Sequence, residues 1–318
     1  MTDEPASGAP PTVLITGATA GIGANAAKRL AARGWDVLVH GRNRERGEDL
    51  VGDIRDAGNE AAFIRADFAD PAGVRALADA VRDRVDELDA LVLNAALSRS
   101  ECAEGWGGVE LTFAVNQLAP YLLAHELLDR VRAAPHGRIV VTASAIHARG
   151  DLQIAERASD GGPSNGERAD GLAADGEAAP RLDTAQLTCT DDYEAFDAYA
   201  RSKLANCCFA VELAERVPEI PVNAFHPGFV PGSGLYRDVG FPLGTIVTLA
   251  NWLPFVGTSV ADGATPIVTL VDDAGDVTGA YFDGTERAEP DSRVRDPTYR
   301  LALWNTCADL VDVSPEWV

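Results

Sequence analysis

The chain of 318 residues is predicted to form one doubly wound α/β domain, a parallel sheet covered on both faces by helices. Two observations predict it. From Thr12 onward, short apolar runs alternate strictly with helical stretches, as they do when each return to the sheet crosses one of its faces. A glycine-rich turn, Gly17–Gly23, then separates the first apolar run from the first helical stretch, where such folds open a binding crevice.

The elements follow in order. The run Thr12–Thr16 is the first strand, and Ala24–Arg33 the first helix, closed by Gly34. Asp36–His40 is the second strand and Arg44–Ala57 the second helix, ended by Gly58. Ala61–Arg65, Pro71–Asp86 and Ala90–Asn94 repeat the cycle, with Pro71 at a helix start that its fixed φ favours. A long helical stretch, Leu111–Ala133, leads to the apolar, β-branched strand Arg138–Thr142. Asp151–Asp192 breaks the pattern: rich in Gly, Ala, Asp and Glu, without a period of 2 or 3.6, it reads as an acidic, partly disordered surface insertion. Helix Tyr193–Arg216, strand Val222–His226, a last strand Val277–Phe282 and a terminal helix Arg300–Val313 complete the series. Residues 1–11 read as a short disordered lead, so the domain spans 12–318.

Composition excludes several partners. A net charge of −22 repels nucleic acid and anionic membrane alike. An acidic surface with only two lysines, Lys28 and Lys203, suits a halophilic protein. The segment Gly240–Leu270 is apolar, but Pro242, Asn251, Pro254, Gly257, Asp262 and Pro266 interrupt it, so a substrate lid at about 229–260 or a subunit contact is expected and membrane insertion is not. The five cysteines are odd in number and lack paired spacing, so neither a metal site nor a disulfide framework follows. Met1–Pro11 lacks the basic and apolar regions of a signal peptide, and a cytoplasmic location is expected.

The turn Thr16-Gly17-Ala18-Thr19-Ala20-Gly21-Ile22-Gly23 stands where a pyrophosphate would rest on a helix N-terminus, its glycines admitting the backbone and its amides donating. At the tip of the second strand, His40-Gly41-Arg42-Asn43 offers no carboxylate for a ribose hydroxyl but an arginine for a 2'-phosphate, which favours NADP while leaving NAD possible. Asp67, followed by Phe68, would accept from the adenine amino group, while Asp70 is better placed to cap the next helix. Farther on, Tyr199-Ala200-Arg201-Ser202-Lys203 sets a phenol and an amine four residues apart on one helical face, where the cation would favour the phenolate.

Together, TGATAGIG, Leu93-Asn94-Ala95-Ala96, Asn116 in AVNQLAP, Ser144 in VVTASA, YARSK and His226-Pro227-Gly228 resemble, in order, the short-chain dehydrogenases/reductases over about residues 12 to 230. RIVVTASAIH, SKLANCCFAVELAERV and HPGFVPGSGLYRD look most like the retinol dehydrogenase and protochlorophyllide reductase branch. The resemblance implies a Rossmann-type domain with a seven-stranded parallel sheet in the order 3-2-1-4-5-6-7. It implies that Tyr199 is the general acid or base, that Lys203 lowers its pKa and holds the nicotinamide ribose, and that Ser144 polarises the substrate carbonyl. Asn116 would anchor a water relaying protons to the lysine, Asn94 and Ala95 would line the cofactor, and Pro227, Gly228 and Val230 would border the nicotinamide. The expected activity is hydride transfer between NADP and a carbonyl/alcohol pair on a hydrophobic small molecule, by a homodimer or homotetramer. A protochlorophyllide-type C=C reductase and a non-catalytic dinucleotide sensor are the alternatives.

Three features depart from the family pattern. Ala96 and Ala119 stand where glycine is common, and Ser144 and Tyr199 are 55 residues apart, a long interval that the acidic insertion fills.

Overall fold

The computed structural model describes residues 9–155, 179–231 and 257–317. Eight strands form one sheet: Thr12–Ile15 (β1), Asp36–Gly41 (β2), Ala61–Arg65 (β3), Ala90–Leu93 (β4), Arg138–Thr142 (β5), Val222–His226 (β6), Tyr281–Asp283 (β7) and Glu286–Ala288 (β8). Their order is β3-β2-β1-β4-β5-β6-β7-β8. The first seven strands run parallel in the expected order, from β3 at one edge to β7. The eighth corrects the seven-stranded expectation. It turns back from β7 and pairs antiparallel at the other edge, and its Glu-Arg-Ala sequence has no apolar period to reveal it.

Alternation along the strands splits the core in two. Val13 and Ile15 face the layer that holds Ala26, Ala27 and Leu30, while Leu14 faces the opposite layer with Leu77 and Leu127. Helices Gly21–Ala31 (α1) and Arg44–Asp56 (α2) cover the first face, and Pro71–Arg82 (α3) lies on the second. Their starts follow local chemistry. Asn43 accepts from the Arg46 N–H to cap α2, and Asp70 accepts from the Ala72 N–H to cap α3 beside Pro71.

The predicted helix Leu111–Ala133 is three pieces. One α turn, Leu111–Phe113, leads into a π turn, Ala114–Leu118, and then into the regular helix Ala119–Ala133 (α4). Pro120 explains part of this, because it has no N–H to close an α bond to the carbonyl of Asn116. The next helix, Ala195–Arg216 (α5), starts two residues later than expected and carries Tyr199 and Lys203. Val260–Val268 (α6) packs with α1 against the first face, so the C-terminal part of the apolar 240–270 segment is core-forming rather than a lid. Among the described residues no helix is long and apolar enough to cross a membrane. The final helix, Pro297–Val311 (α7), is capped by Asp296 and buries Trp304 against Tyr121 of α4 and Phe209 of α5.

The insertion is also corrected in part. Its flanks are built into the molecule: Leu152, Leu182 and Leu187 are buried, Ile154 bridges Leu182, and the N–H groups of Ala155 and Asp183 donate to the carbonyls of Arg181 and Gln153. Residues 156–178, the middle of the segment expected to be disordered, lie outside the described residues, as do residues 1–8 of the expected lead. A disulfide joins Cys102 to Cys189, against the expectation that no disulfide follows from the cysteine spacing. The two are 87 residues apart, and only the folding of the insertion flank onto the loop after β4 brings them together. Beside the disulfide, the Glu110 N–H donates to Leu187, and Val109 bridges Thr188.

Candidate active site

One cleft of about 730 Å³ runs along the carboxyl ends of the strands, where an open parallel sheet binds its ligand. Its middle is the turn after β1. Gly17 has a left-handed φ of 64°, and a β-carbon there would lie 2.7 Å from the Ala95 Cα. Gly23 sits as tightly, because a β-carbon would lie 2.7 Å from the Asn94 amide nitrogen. Thr19, Ala20 and Ile22 line the cleft with these glycines. Gly21 does not line it; its φ of 60° swings the chain into α1. The Ala20 N-cap makes no side-chain cap, so the first N–H groups of α1 are available to a pyrophosphate.

Asn94 braces this turn from β4. Its amide donates to the Thr16 carbonyl at 2.8 Å, and its N–H donates to the Thr16 hydroxyl, also at 2.8 Å. Ala95 and Ala96 continue the wall beside it, so the alanine in place of glycine at 96 is accommodated there.

At one end of the cleft lie Arg42, Asn43, Asp67 and Phe68, as expected, together with His40 and Arg46, which sequence reasoning missed. Asn43 is tied to its capping bond, and the Asp67 carboxylate accepts from the Ala69 N–H at 3.0 Å. His40 is 3% exposed and stacks on Phe68, with ring centres 4.4 Å apart. Its Nδ1 accepts from the Gly17 N–H and its Nε2 faces the Ala66 carbonyl, an arrangement that requires the neutral ring with hydrogen on Nε2. Burial pushes its pKa down to about 4, against the Ala66 carbonyl that favours charge. A polar ring at the end of an otherwise apolar strand was the available signal.

At the other end Ser144, Tyr199, Lys203, Pro227, Gly228 and Val230 meet. Ser144 leaves β5 in extended conformation and caps a 3₁₀ turn, Ala145–Arg149. The ring of His147 in that turn faces the Ser144 carbonyl at 2.8 Å through Nδ1 and accepts from the Asp291 N–H at 3.0 Å through Nε2. His147 therefore ties the serine turn to the segment after β8. The Lys203 Nζ donates to the Thr142 carbonyl at 2.8 Å and to the Asn206 Oδ1 at 3.0 Å. It is 2% exposed, and burial lowers its pKa to about 8.

Asn116 stands behind this end rather than in the cleft wall. Its Oδ1 accepts from the Leu97 N–H at 2.8 Å, and its Nδ2 donates to the Leu97 carbonyl at 2.9 Å and to the Ser202 hydroxyl at 3.0 Å. The amide thus clamps the loop after β4 to α5. Cys207 and Cys208 are buried in the core, and neither lines the cleft. The described ends of the expected lid, Phe229–Pro231 and 257–260, are joined where the Thr258 N–H donates to the Phe229 carbonyl at 2.6 Å; residues 232–256 lie outside the described residues.

A family profile for short chain dehydrogenases matches residues 11–155. Dehydrogenase/reductase SDR family member 13 of Bos taurus is 32% identical over 96% of this chain and 74% of its own. The chain is a short-chain dehydrogenase/reductase. Human retinol dehydrogenase 13 is 30% identical over 94% of this chain and 84% of its own, which places this short-chain dehydrogenase/reductase in the retinol dehydrogenase branch. Among solved structures, an angucycline C-6 ketoreductase with bound NADP shares the fold at a TM-score of 0.62 and 21% identity, covering 87% of this chain and 95% of its own. As a member of the family, the protein is an NAD(P)-dependent oxidoreductase acting on an alcohol/carbonyl pair.

Proposed function

We propose that this enzyme prefers NADP and works on a hydrophobic alcohol/carbonyl substrate. One observation carries the reading. Ser144, Tyr199 and Lys203 converge at one end of a single cleft whose other end carries Arg42 and Arg46, with no carboxylate at the tip of β2. Two guanidinium groups on a chain of net charge −22 are a local exception that suits a 2'-phosphate. The NADP in the angucycline ketoreductase structure and the retinol in the name of the human relative support the same cofactor and substrate class.

NADPH supplies the hydride when bound. The residues do the rest. In reduction, the Tyr199 hydroxyl gives its proton to the substrate oxygen as negative charge grows there, while the Ser144 hydroxyl donates a hydrogen bond to the same oxygen. The Lys203 ammonium, held by Thr142 and Asn206, favours the phenolate left behind and is placed to meet the ribose hydroxyls. In oxidation the same groups act in reverse. Asn116 holds α5 through Ser202 and His147 holds the Ser144 turn, while Asn94 braces the glycine turn that would carry the cofactor.

Absorbance at 340 nm, followed with NADPH or NADH against all-trans-retinal, aromatic aldehydes and polycyclic ketones in the dark, tests the reading. Turnover with NADPH at least about tenfold above NADH is expected. Loss of NADPH binding, or NADPH binding with no carbonyl in the panel reduced, would overturn it.

A further inference from the structure

Asn206 lies on α5, three residues beyond Lys203, and is 2% exposed. Its two amide atoms face different parts of the site. Oδ1 accepts from the Lys203 Nζ at 3.0 Å, while Nδ2 donates to the main-chain carbonyl of Asn116 at 2.7 Å and to the Gln117 Oε1 at 2.9 Å. That carbonyl needs a donor, because the residue four positions on is Pro120, which has no N–H to offer. The side chain of Asn206 supplies it. The same amide therefore satisfies a carbonyl in the π turn and holds the ammonium on α5.

An ammonium has three N–H groups. Two of those on Lys203 are taken by fixed acceptors, Thr142 on β5 and Asn206 on its own helix, which leaves the third on a residue that lines the cleft. We propose that Asn206 is a positioning residue for Lys203: its amide fills the interval between the ammonium and the Asn116 carbonyl and aims the remaining N–H at the cofactor and Tyr199. The proposal rests on the assignment of Tyr199 and Lys203 to the chemistry. Among the described residues, the charge balance around the ammonium is otherwise simple. Thr142 faces it as a neutral group from β5, Asn116 and Gln117 of the π turn stand as neutral groups behind Asn206, the Tyr199 ring lies 5.7 Å away on α5, and the Cys207 thiol on α5 is kept neutral by burial.

Because the chain contains only Lys28 and Lys203, and Lys28 is on the surface in an ion pair with Asp53, ¹³C-lysine labelling gives a two-residue spectrum in which Lys203 can be titrated directly. Asn206→Asp, isosteric but anionic, is expected to raise the Lys203 midpoint by about one pH unit. Asn206→Leu, which removes the acceptor, is expected to lower it. The two opposite shifts, with NADPH binding retained, support the proposal. An unshifted Lys203 resonance in either folded variant overturns it. If the leucine variant does not fold, Asn206→Ser, which keeps a hydroxyl acceptor, is expected to fall between the wild type and the direction set for leucine, and a wild-type midpoint in both serine and aspartate variants overturns the idea. This readout needs no substrate, so it stands apart from failure of the carbonyl chemistry.

Discussion

The Lys203 ammonium lies 5.7 Å from the centre of the Tyr199 ring, one turn along α5. That spacing lets the cation act on the phenol without consuming it in a direct pair. Tyr199→Phe is expected to bind NADPH as the wild type does while kcat falls by about a hundredfold or more, since it removes the proton donor and little else. Lys203→Met is expected to lose both kcat and cofactor affinity. Fluorescence titration with NADPH, beside initial rates, separates the two effects.

Burial of Lys203 has a cost that pH reveals. Its folded pKa, about 8, lies below the unfolded value of 10.5, so the unfolded chain binds the extra proton between those limits. Stability from this group therefore rises with pH across that window and is penalised below about 8. The difference in melting temperature between wild type and Lys203→Met, followed from pH 7 to 10.5 without cofactor, is expected to shift in favour of the wild type as pH rises.

His40 has the same sign in an acid window. With a folded pKa of about 4 against 6.5 unfolded, the neutral ring is favoured in the fold, and stability falls as pH drops from 6.5 toward 4. The full effect is on the order of 3 kcal/mol, from 1.36 kcal/mol per pH unit. His40→Asn keeps an acceptor near Nδ1 for the Gly17 N–H and does not titrate, so its melting curve is expected to flatten between pH 6.5 and 4. Because the same ring braces the phosphate turn, NADPH affinity of the wild type is expected to weaken across that range as well.

Arg42 and Arg46 line the cleft from the tip of β2 and the first turn of α2, both exposed. Either guanidinium would meet a 2'-phosphate that NADH lacks. Arg42→Ala and Arg46→Ala are each expected to raise KM for NADPH by about tenfold or more and leave KM for NADH within about twofold. An equal effect on both cofactors would show that these arginines act on the shared part of the dinucleotide. High salt is expected to weaken the wild-type preference.

Much of the fold was legible because strands covered on both faces are short apolar runs between helices, and β1 to β6 all have that form. The chemistry was legible because Tyr199 and Lys203 are local to one helix and Gly17 to Gly23 local to one turn. What escaped is non-local. Asn206 joins Lys203 to a carbonyl that Pro120 leaves open on another element, and His40 braces a turn 23 residues before it in the chain. The π turn at Ala114–Leu118 keeps an apolar period close to that of an α-helix, so its shifted bonds left no trace in the pattern. Leu182 and Leu187 are isolated leucines in an acidic tract, and periodicity cannot tell two anchored side chains from none.

The pairing of Cys102 with Cys189 escaped for the same reason, and it makes the last prediction. The bridge closes a long loop and fixes the flank that leads into α5 against the loop that follows β4. Both sulfurs belong to half-buried residues, within reach of a reductant. Cys102→Ser is expected to lower stability by about 2–4 kcal/mol, mostly by releasing chain entropy in the unfolded state. Dithiothreitol is expected to bring the wild-type melting temperature to that of Cys102→Ser and to leave the variant unmoved, because Cys207, Cys208 and Cys307 are free and buried. The backbone bonds of Glu110 to Leu187 and of Ala155 to Arg181 remain when the bridge opens, so the fold is expected to survive reduction. Equal melting temperatures in oxidised and reduced wild type would show that those bonds alone hold the flank. In a reducing compartment the bridge would stand open, and the reduced form would be the working one.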